Sequence, residues 1–392
     1  METKLLFDYP EIKAGQTWNR KMRTLFRRLD SNGNGYLMID DLLEVVSELL
    51  NNFPKIITSV SDDLVRGMVY LWYSVFAMHD GADEAAKTTA VINQDLFQAN
   101  VLKAINGDFK KEFVNLFTEP LFRAADGDQD GLITGPEFSS IFLAFKAPKP
   151  QADAIFKALN KGGKMSLEIF NQMFSDFFGT DNPKSPCNKL WGELVTYKSA
   201  ADYPEVECSP TWEGKMRAMF RRMDTESSGY LRCHNLITIG RSLAQRNHLD
   251  KKKSAHVLKS MLNIWVKFLA KDKSGKHFAE ISEKEFVHNL RSMINGEFRH
   301  EIDQFGWTFF KAVEVDGNGT ISMNEYRSLQ ESWNVGRDEA EGMFKVIDRD
   351  KDNLINADEY LNAWVEYFLS EDPNSPYKAF FGPVIIKHQD NR

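Results

Sequence analysis

The segment DGDQDGLITGPE, Asp126 to Glu137, has an oxygen-bearing side chain at its first, third, fifth, ninth and twelfth positions. Glycine stands at the sixth position and an apolar residue at the eighth. Calcium is a hard cation that takes six to eight oxygen ligands, so this spacing indicates a calcium-binding loop. The predicted ligands, with Leu132 acting through its backbone carbonyl, are Asp126, Asp128, Asp130, Leu132, Thr134 and Glu137.

Helical sequence flanks this loop on both sides. In EFVNLFTEPLFRAAD, which leads into it, apolar residues recur at spacings of three and four, as in an amphipathic helix. A helix, a loop of this pattern and a second helix form an EF-hand unit. Gly131 permits the sharp bend, and we expect Ile133 to form a short strand with a partner loop.

A second segment, DRDKDNLINADE, repeats the pattern from Asp348 to Glu359. Asn353 replaces the usual glycine, and asparagine tolerates a left-handed backbone better than most residues. The predicted ligands are Asp348, Asp350, Asp352, Leu354, Asn356 and Glu359.

A third segment, EVDGNGTISMNE, begins with glutamate where aspartate is usual. We expect the extra methylene to force an adjustment of the loop and to lower its affinity. The predicted ligands are Glu314, Asp316, Asn318, Thr320, Ser322 and Glu325.

A fourth segment, DSNGNGYLMIDD, ends in aspartate instead of glutamate. Asp41 is one carbon shorter and is expected to offer one oxygen where glutamate offers two. Fewer oxygens suit the six-coordinate shell of magnesium, so we predict that magnesium competes with calcium here. The predicted ligands are Asp30, Asn32, Asn34, Tyr36 and Asp41.

The chain is internally duplicated. TWNRKMRTLFRRLDSNGNGYL, from Thr17, matches TWEGKMRAMFRRMDTESSGYL, from Thr211, at 12 of 21 positions. INGDF and INGEF repeat at a similar offset. Such repeats should be sought before any fold is assigned, and these predict two homologous halves, 1–195 and 196–392. In the second copy Arg232 and Asn235 replace ligands at the ninth and twelfth positions, so we expect little or no calcium binding there.

Three further segments keep an apolar strand residue but lack a ligand set. They lie between Trp72 and Phe97, between Trp265 and Phe286, and in LNKGGKMSLEIF, which ends at Phe170. A silent loop of this kind is expected to brace its partner. We therefore predict an all-α fold of eight EF-hand units in four pairs, with very small two-stranded pairings between loops. Ions are expected in units one and three of the first half and in units seven and eight.

Each half resembles a sarcoplasmic calcium-binding protein, a member of an invertebrate EF-hand family that is similar to calexcitin. The resemblance rests on four units in about 190 residues, on the degenerate second unit after Trp72 or Trp265, and on the endings DNPKSPCNKLWG and EDPNSPYKAFFG. It implies a compact cytoplasmic binder of calcium and magnesium. This chain departs from the family by carrying two fused copies.

The composition and charge of the chain argue against some classes of binding partner. The net charge of −7 argues against nucleic acid, and no apolar run reaches the roughly 18 residues of a membrane span. The start of the chain lacks the pattern of a signal peptide, and the three cysteines do not form a disulfide or zinc pattern. We expect a cytoplasmic protein. The histidines are dispersed and no catalytic motif occurs, so an enzyme is not expected.

Three functions remain open from the sequence. The favoured one is a calcium and magnesium buffer or signal modulator, because the methionines are scattered and the joints between unit pairs are short. A sensor would instead open a methionine-rich groove for a target helix. A third alternative is a small-molecule carrier like the luciferin-binding proteins, which share the four-unit architecture. The sequence identifies no protein target.

Overall fold

The computed structural model describes residues 5–31, 35–53, 56–78, 84–112, 114–147, 149–160, 163–270, 279–296, 299, 301–316 and 318–385. Contacts between residues divide the chain into two units, Met1–Thr196 and Tyr197–Arg392. None of the helices in the described ranges combines the length and the apolar character that crossing a membrane requires.

The first unit is built from α-helices and two short strands. In chain order its elements are α1 (Gln16–Leu29), α2 (Ile39–Asn52), α3 (Thr58–Leu71), α4 (Glu84–Thr88), α5 (Gln94–Asn106), α6 (Glu119–Ala125), β1 (Leu132–Thr134), α7 (Gly135–Ala144), α8 (Lys149–Leu159), β2 (Lys164–Ser166) and α9 (Leu167–Gly179).

The second unit has a similar order of long helices, and its first loop pair forms two strands where the first unit has an isolated bridge. Its elements are α10 (Pro210–Met223), β3 (Tyr230–Arg232), α11 (Cys233–Arg246), α12 (Lys251–Asn263), β4 (Glu280–Ser282), α13 (Glu283–Ile294), α14 (Ile302–Val313), β5 (Thr320–Ser322), α15 (Met323–Ser332), α16 (Arg337–Ile347), β6 (Leu354–Asn356) and α17 (Ala357–Leu369). The predicted all-α class with very small strand pairings is confirmed.

Every short strand pairs with the strand of a neighbouring loop. The pairs are antiparallel: β1 with β2, β3 with β4, and β5 with β6. In the first loop pair, Leu37 and Ile92 form an isolated antiparallel bridge. At the centre of the other pairs Ile133 faces Met165, Leu231 faces Ile281, and Ile321 faces Ile355. Four loop pairs result, as the sequence predicts, and silent loops supply a strand as fully as acidic ones do.

Loop residues also set the ends of the helices. The first loop residue is the C-cap of the entering helix in α1, α6, α10, α14 and α16. The ninth residue is the N-cap of the exiting helix, and the twelfth occupies its third position in a capping box, as in Thr134 with Glu137 and Ser322 with Glu325. Because a capping box satisfies otherwise unpaired amides of the first turn, the loop sequence fixes where each helix starts.

The helix that leads into the third loop departs from the pattern of the sequence, and Trp72–Phe76 and Ile264–Leu269 are π-helical as well. The run from Glu112 to Asp126 reads as a single amphipathic helix, but Val114–Thr118 is π-helical and α6 follows it. Pro120 lies at the start of α6, and proline cannot donate the hydrogen bond that a continuous helix requires. The carbonyl oxygen of Leu116 lies directly against Gly67 of α3, where a Cβ atom would overlap it.

A segment after the last helix closes the interior of each unit. We call Asp181–Gly192 and Glu371–Gly382 the sealing segments. In the first, Trp191 is 1% exposed, with ring centroids 5.1 Å from Phe142 and 4.6 Å from Phe145. In the second, Phe381 is fully buried and lies 5.0 Å from Trp333. Aromatic pairs at these distances are favourable beyond the area they bury.

A buried lysine ties the first helix of each unit to the last. Lys21 donates to the carbonyl oxygens of Phe177 and Thr180 at the end of α9, and Lys215 donates to those of Tyr367 and Ser370 at the end of α17. The last carbonyls of a helix lack partners within it, so an ammonium there satisfies them. Burial lowers the pKa of Lys21 to about 8 and that of Lys215 to about 7.

We predict that Lys215 makes the stability of the second unit depend on pH. Its pKa is about 7 when folded, against 10.5 when unfolded, even though Glu366 and Glu371 oppose the shift. Above about pH 7 the unfolded chain therefore binds more protons at this residue, and stability rises with pH. Urea unfolding followed from about pH 7 to about pH 9 should show this rise.

Lys215→Met should remove that rise, because the titrating amine is gone. At about pH 9 it should also lower stability, because two helix-end carbonyls lose the neutral amine that donates to them. Lys252→Met, at an exposed position of α12, is the matched control and should leave the pH dependence unchanged. A rise that persists in Lys215→Met would show that another group causes it.

Candidate metal centres

The first residue of each acidic loop is held by the backbone of the sixth. Its carboxylate accepts a hydrogen bond from that amide in five loops, including the degenerate fifth one. The pairs are Asp30 with Gly35 (2.7 Å), Asp126 with Gly131 (3.0 Å), Asp224 with Gly229 (2.7 Å), Glu314 with Gly319 (3.0 Å) and Asp348 with Asn353 (3.1 Å). The loop keeps its curvature whether or not the remaining ligands are present.

The sixth residue has a left-handed backbone in each of these loops. Its φ is +77° at Gly35, +79° at Gly131, +76° at Gly229 and +84° at Gly319. Asn353 adopts φ +66°, so its predicted role as a substitute for glycine is confirmed. Asparagine visits this region because its short polar side chain can hydrogen-bond locally.

The twelfth glutamate spans the loop. One carboxylate oxygen accepts from the amide of the second residue and the other from the amide of the ninth. The two distances are 3.1 and 2.7 Å for Glu137, 3.0 and 2.8 Å for Glu325, and 2.8 and 3.0 Å for Glu359. Both oxygens are thereby held beside the loop, which is the placement that bidentate coordination of calcium requires.

Asp41 also contacts the ninth and second loop residues, although its side chain is shorter than that of glutamate. One oxygen accepts from the amide of Met38, the ninth residue, at 2.9 Å. The other lies 2.9 Å from the hydroxyl of Ser31, the second residue, and that hydroxyl also reaches Glu44 at 2.6 Å. A side chain therefore replaces the backbone amide as the partner of the second oxygen. Ser31 is not among the residues predicted from the sequence, although its hydroxyl at the second loop position is visible in the sequence.

The first loop is described only in part. Asp30 and Asp41 are buried, and Tyr36 directly precedes the bridge residue Leu37. The predicted ligands Asn32 and Asn34 lie outside the described residues.

The third and eighth loops bring their aspartates together. In each, one carboxylate oxygen from the first, third and fifth residues lies within 4.8 Å of the other two. The clusters are Asp126 with Asp128 and Asp130, and Asp348 with Asp350 and Asp352. Leu132 and Leu354, the predicted carbonyl ligands, are the first residues of β1 and β6. Thr134 and Asn356 end those strands beside Glu137 and Glu359.

One atom of the eighth loop tests whether a cation fits. Asp348 is 6% exposed, and among the described residues its Oδ1 has no hydrogen-bond partner. A buried carboxylate oxygen without a partner is costly, and a bound calcium ion would supply the missing interaction. The residues of this loop therefore fit a hard divalent cation.

The seventh loop accommodates glutamate at its first position. Glu314 is 5% exposed and makes the same bond to Gly319 that aspartate makes elsewhere. Lys311, one turn earlier on α14, places its ammonium 3.7 Å from Glu314. The remaining predicted ligands are connected by short hydrogen bonds within the loop: Asp316 with Asn318, Asn318 with Thr320, and Ser322 with Glu325. The expected loss of affinity stays a prediction.

Carboxylate pKa values differ among the loops. Burial raises the pKa of Asp126 and that of Glu359. Lys164, from the silent fourth loop, donates to Asp130 and lowers the pKa of that carboxyl. This cross-loop ion pair was not foreseen from the sequence, because it depends on the pairing of β1 with β2.

The silent loops keep the frame without the ligands. In the fifth loop, among the described residues, Asn235 accepts one hydrogen bond, from the amide of Arg232 at 2.8 Å. Arg232 forms an ion pair of 2.7 Å with Glu280 of the sixth loop. In the sixth loop Glu285 accepts from the amide and hydroxyl of Ser282. Ser274 and Lys276, whose side chains stand at ligand positions, lie outside the described residues, as do 79–83 and 161–162.

Comparison with known proteins agrees with this geometry. The model of the EF-hand domain pair matches residues 326–367, and that of the EF hand matches residues 119–143. One segment in each unit therefore matches an EF-hand family.

Two curated relatives are sarcoplasmic calcium-binding proteins, from Perinereis vancaurica tetradentata and Hediste diversicolor. Both are 25% identical to this chain, over 183 and 178 residues respectively, and each match covers 45% of this chain and 100% of the relative. The chain is related to the sarcoplasmic calcium-binding proteins, and a whole relative corresponds to slightly less than half of it.

Solved structures with similarity include okadaic acid binding protein 2.1, with a TM-score of 0.39, 19% identity, and coverage of 46% of this chain and 99% of that protein. The coelenterazine-binding protein from Renilla muelleri has a TM-score of 0.35 and 17% identity, with coverage of 45% of this chain and 100% of that protein. Calcium-loaded apo-aequorin from Aequorea victoria has a TM-score of 0.35 and 17% identity, with coverage of 42% of this chain and 94% of that protein.

We predict that Glu137→Gln and Glu359→Gln each remove one calcium from the stoichiometry measured by calorimetric titration at micromolar calcium. Glutamine can still complete a capping box, so the helix start survives while one ligand oxygen and the charge are lost. Glu168→Gln, at an exposed position of α9, is the control and should bind as the wild type does. Unchanged stoichiometry in either loop variant would refute that site.

Proposed function

We propose that this protein binds calcium in the four acidic loops, Asp30–Asp41, Asp126–Glu137, Glu314–Glu325 and Asp348–Glu359, and acts in the cytoplasm as a calcium buffer or signal modulator. The observation that carries the buffering role is the sealing segment of each unit. Calcium capture follows from charge: the aspartates of one loop repel one another, and a divalent cation removes that repulsion.

The sealing segments favour a buffer over a sensor. A sensor opens on calcium binding and offers an apolar groove to a target helix. Here Trp191 packs on Phe142, Phe145 and Phe174, and Phe380 and Phe381 pack on the aromatic residues of α15 and α17. Each unit thus fills with its own chain the face that a target would occupy.

The interior of the first unit also gives little support to a small-molecule carrier. An apolar cavity among its described residues, between Leu25, Met68, Val101 and Trp191, has a volume of about 30 Å³. Sites for drug-sized ligands measure roughly 300–1,000 Å³. A larger recess of about 530 Å³ opens at the surface between the third loop and Phe53, Ile56 and Val60. It is an open cleft beside that loop and not an enclosed interior site.

Magnesium competition is proposed for the first loop alone. Asp41 divides its oxygens between Met38 and Ser31, and its shorter side chain suits monodentate binding. A six-coordinate ion such as magnesium is satisfied by fewer carboxylate oxygens than calcium.

We predict that a hydrophobic dye such as anilinonaphthalene sulfonate gives little change in fluorescence when calcium is added to the wild type. Trp191→Ala should raise dye binding with and without calcium, because the variant uncovers the aromatic cluster of the first unit. Phe7→Ala, at a side chain that is 50% exposed, is the matched control. A large calcium-dependent rise in the wild type would favour the sensor.

We predict that Asp41→Glu increases the preference of the first loop for calcium over magnesium, because the longer side chain can offer both oxygens. Calcium titrations with and without millimolar magnesium should show a smaller loss of calcium affinity in the variant. Asp40→Glu, at the exposed neighbouring position, controls for the added methylene. Equal magnesium sensitivity in the two variants would contradict the assignment.

A further inference from the structure

The fourth loop has no ligand set of its own, but it places a cation on the third. Lys164 is the first residue of β2 and faces Thr134, the ninth residue of the third loop. From there its ammonium donates to Asp130, the fifth residue and a predicted ligand. The same ammonium also interacts electrostatically with Asp128 and Glu137. One lysine therefore faces three of the four carboxylates of its partner loop.

The ion pair of Lys164 with Asp130 lies at the solvent-exposed edge of the loop, where it can break without unfolding of the loop. The side chain of Lys164 is 42% exposed and that of Asp130 is 34% exposed. The four-carbon side chain of Lys164 allows its ammonium to move into water while β2 stays paired with β1.

We propose that Lys164 is an internal competitor for calcium at Asp126–Glu137. The ammonium neutralises Asp130 in the ion-free loop and must leave that carboxylate before it can coordinate calcium. This inference rests on the proposed function, since it concerns the affinity of one of the proposed sites.

Charge explains the direction of the effect. Calcium binding is driven by relief of repulsion among the carboxylates, and a lysine that already relieves part of it reduces what calcium can gain. The displaced ammonium then stays close to a divalent cation of the same sign, which weakens the bound state further. The third loop should therefore bind calcium more weakly than its aspartates alone would indicate.

The rest of the chain provides internal comparisons. Leu354 occupies the corresponding place in the last loop pair, where it faces Ser322. In the third loop pair that place holds Glu280, which binds Arg232 across the two strands. Among the described residues, no ion pair reaches the four carboxylates of Asp348–Glu359. That loop is therefore the natural reference for a site without a competing cation.

The test is a calorimetric calcium titration of the full chain carrying Lys164→Gln, with Lys164→Arg as the variant that keeps the charge. Glu137→Gln identifies which binding event belongs to the third loop. Lys164→Gln should tighten that event by about fivefold at low salt, the scale of an exposed ion pair, and the gain should shrink as salt screens the charges. Lys164→Arg should bind as the wild type does.

A reciprocal variant separates competition from a local structural effect. Leu354→Lys places an ammonium beside Asn318, the fifth residue of Glu314–Glu325, and should weaken that site. Because Asn318 is neutral, the change should be smaller than that caused by Lys164.

The outcomes are distinguishable. If Glu137→Gln fails to remove a calcium, the proposed site itself is refuted. If it removes one, and Lys164→Gln leaves the affinity unchanged or alters it equally at all salt concentrations, the competitor is refuted while the site stands.

Discussion

The carboxylate at the twelfth loop position is the interaction on which the rest of each acidic unit depends. In Glu137, Glu325 and Glu359 it joins the amides of the second and ninth residues and forms the capping box of the next helix. The same oxygens are thus placed for metal coordination and for helix initiation. Because these tasks coincide, a change in ligation at this residue is also a change at the hinge between loop and helix.

The silent loops show which part of this arrangement the fold requires. Asp224 still closes its loop on Gly229, and Leu231 still pairs with Ile281. The twelfth residue of this loop, Asn235, accepts from the amide of the ninth residue, Arg232. Among the described residues it lacks the second hydrogen bond, to the amide of the second loop residue, that the glutamates make. Pairing and capping thus survive without a ligand set, and selection for an ion was not needed to keep the helices in place.

Local pattern made most of this predictable. Loop boundaries, the left-handed Asn353 and the strand residues all follow from fixed positions within twelve residues, where the chain interacts with itself. The ion pair of Lys164 with Asp130 spans two loops and requires the register of β1 against β2, which no local pattern contains. The buried Lys21 and Lys215 look in sequence like ordinary charged helix residues; only the return of the last helix to α1 and α10 buries them. The apolar spacing predicts a continuous helix before the third loop, whereas Pro120 indicates an interruption, and the structure has a π-helical turn there.

Each sealing segment lies at the C-terminal end of its own unit and packs on that unit's aromatic residues. This placement matters for a chain that is made from one end to the other. Once the first unit, which ends at Thr196, has left the ribosome, its sealing segment can already cover its interior, while the related second copy is still being translated. Domains generally fold as units, with the N-terminal one first during synthesis. Because each sealing segment follows the helices of its own unit, the first unit can fold before the second is complete. This order protects the two similar halves from exchanging helices during translation.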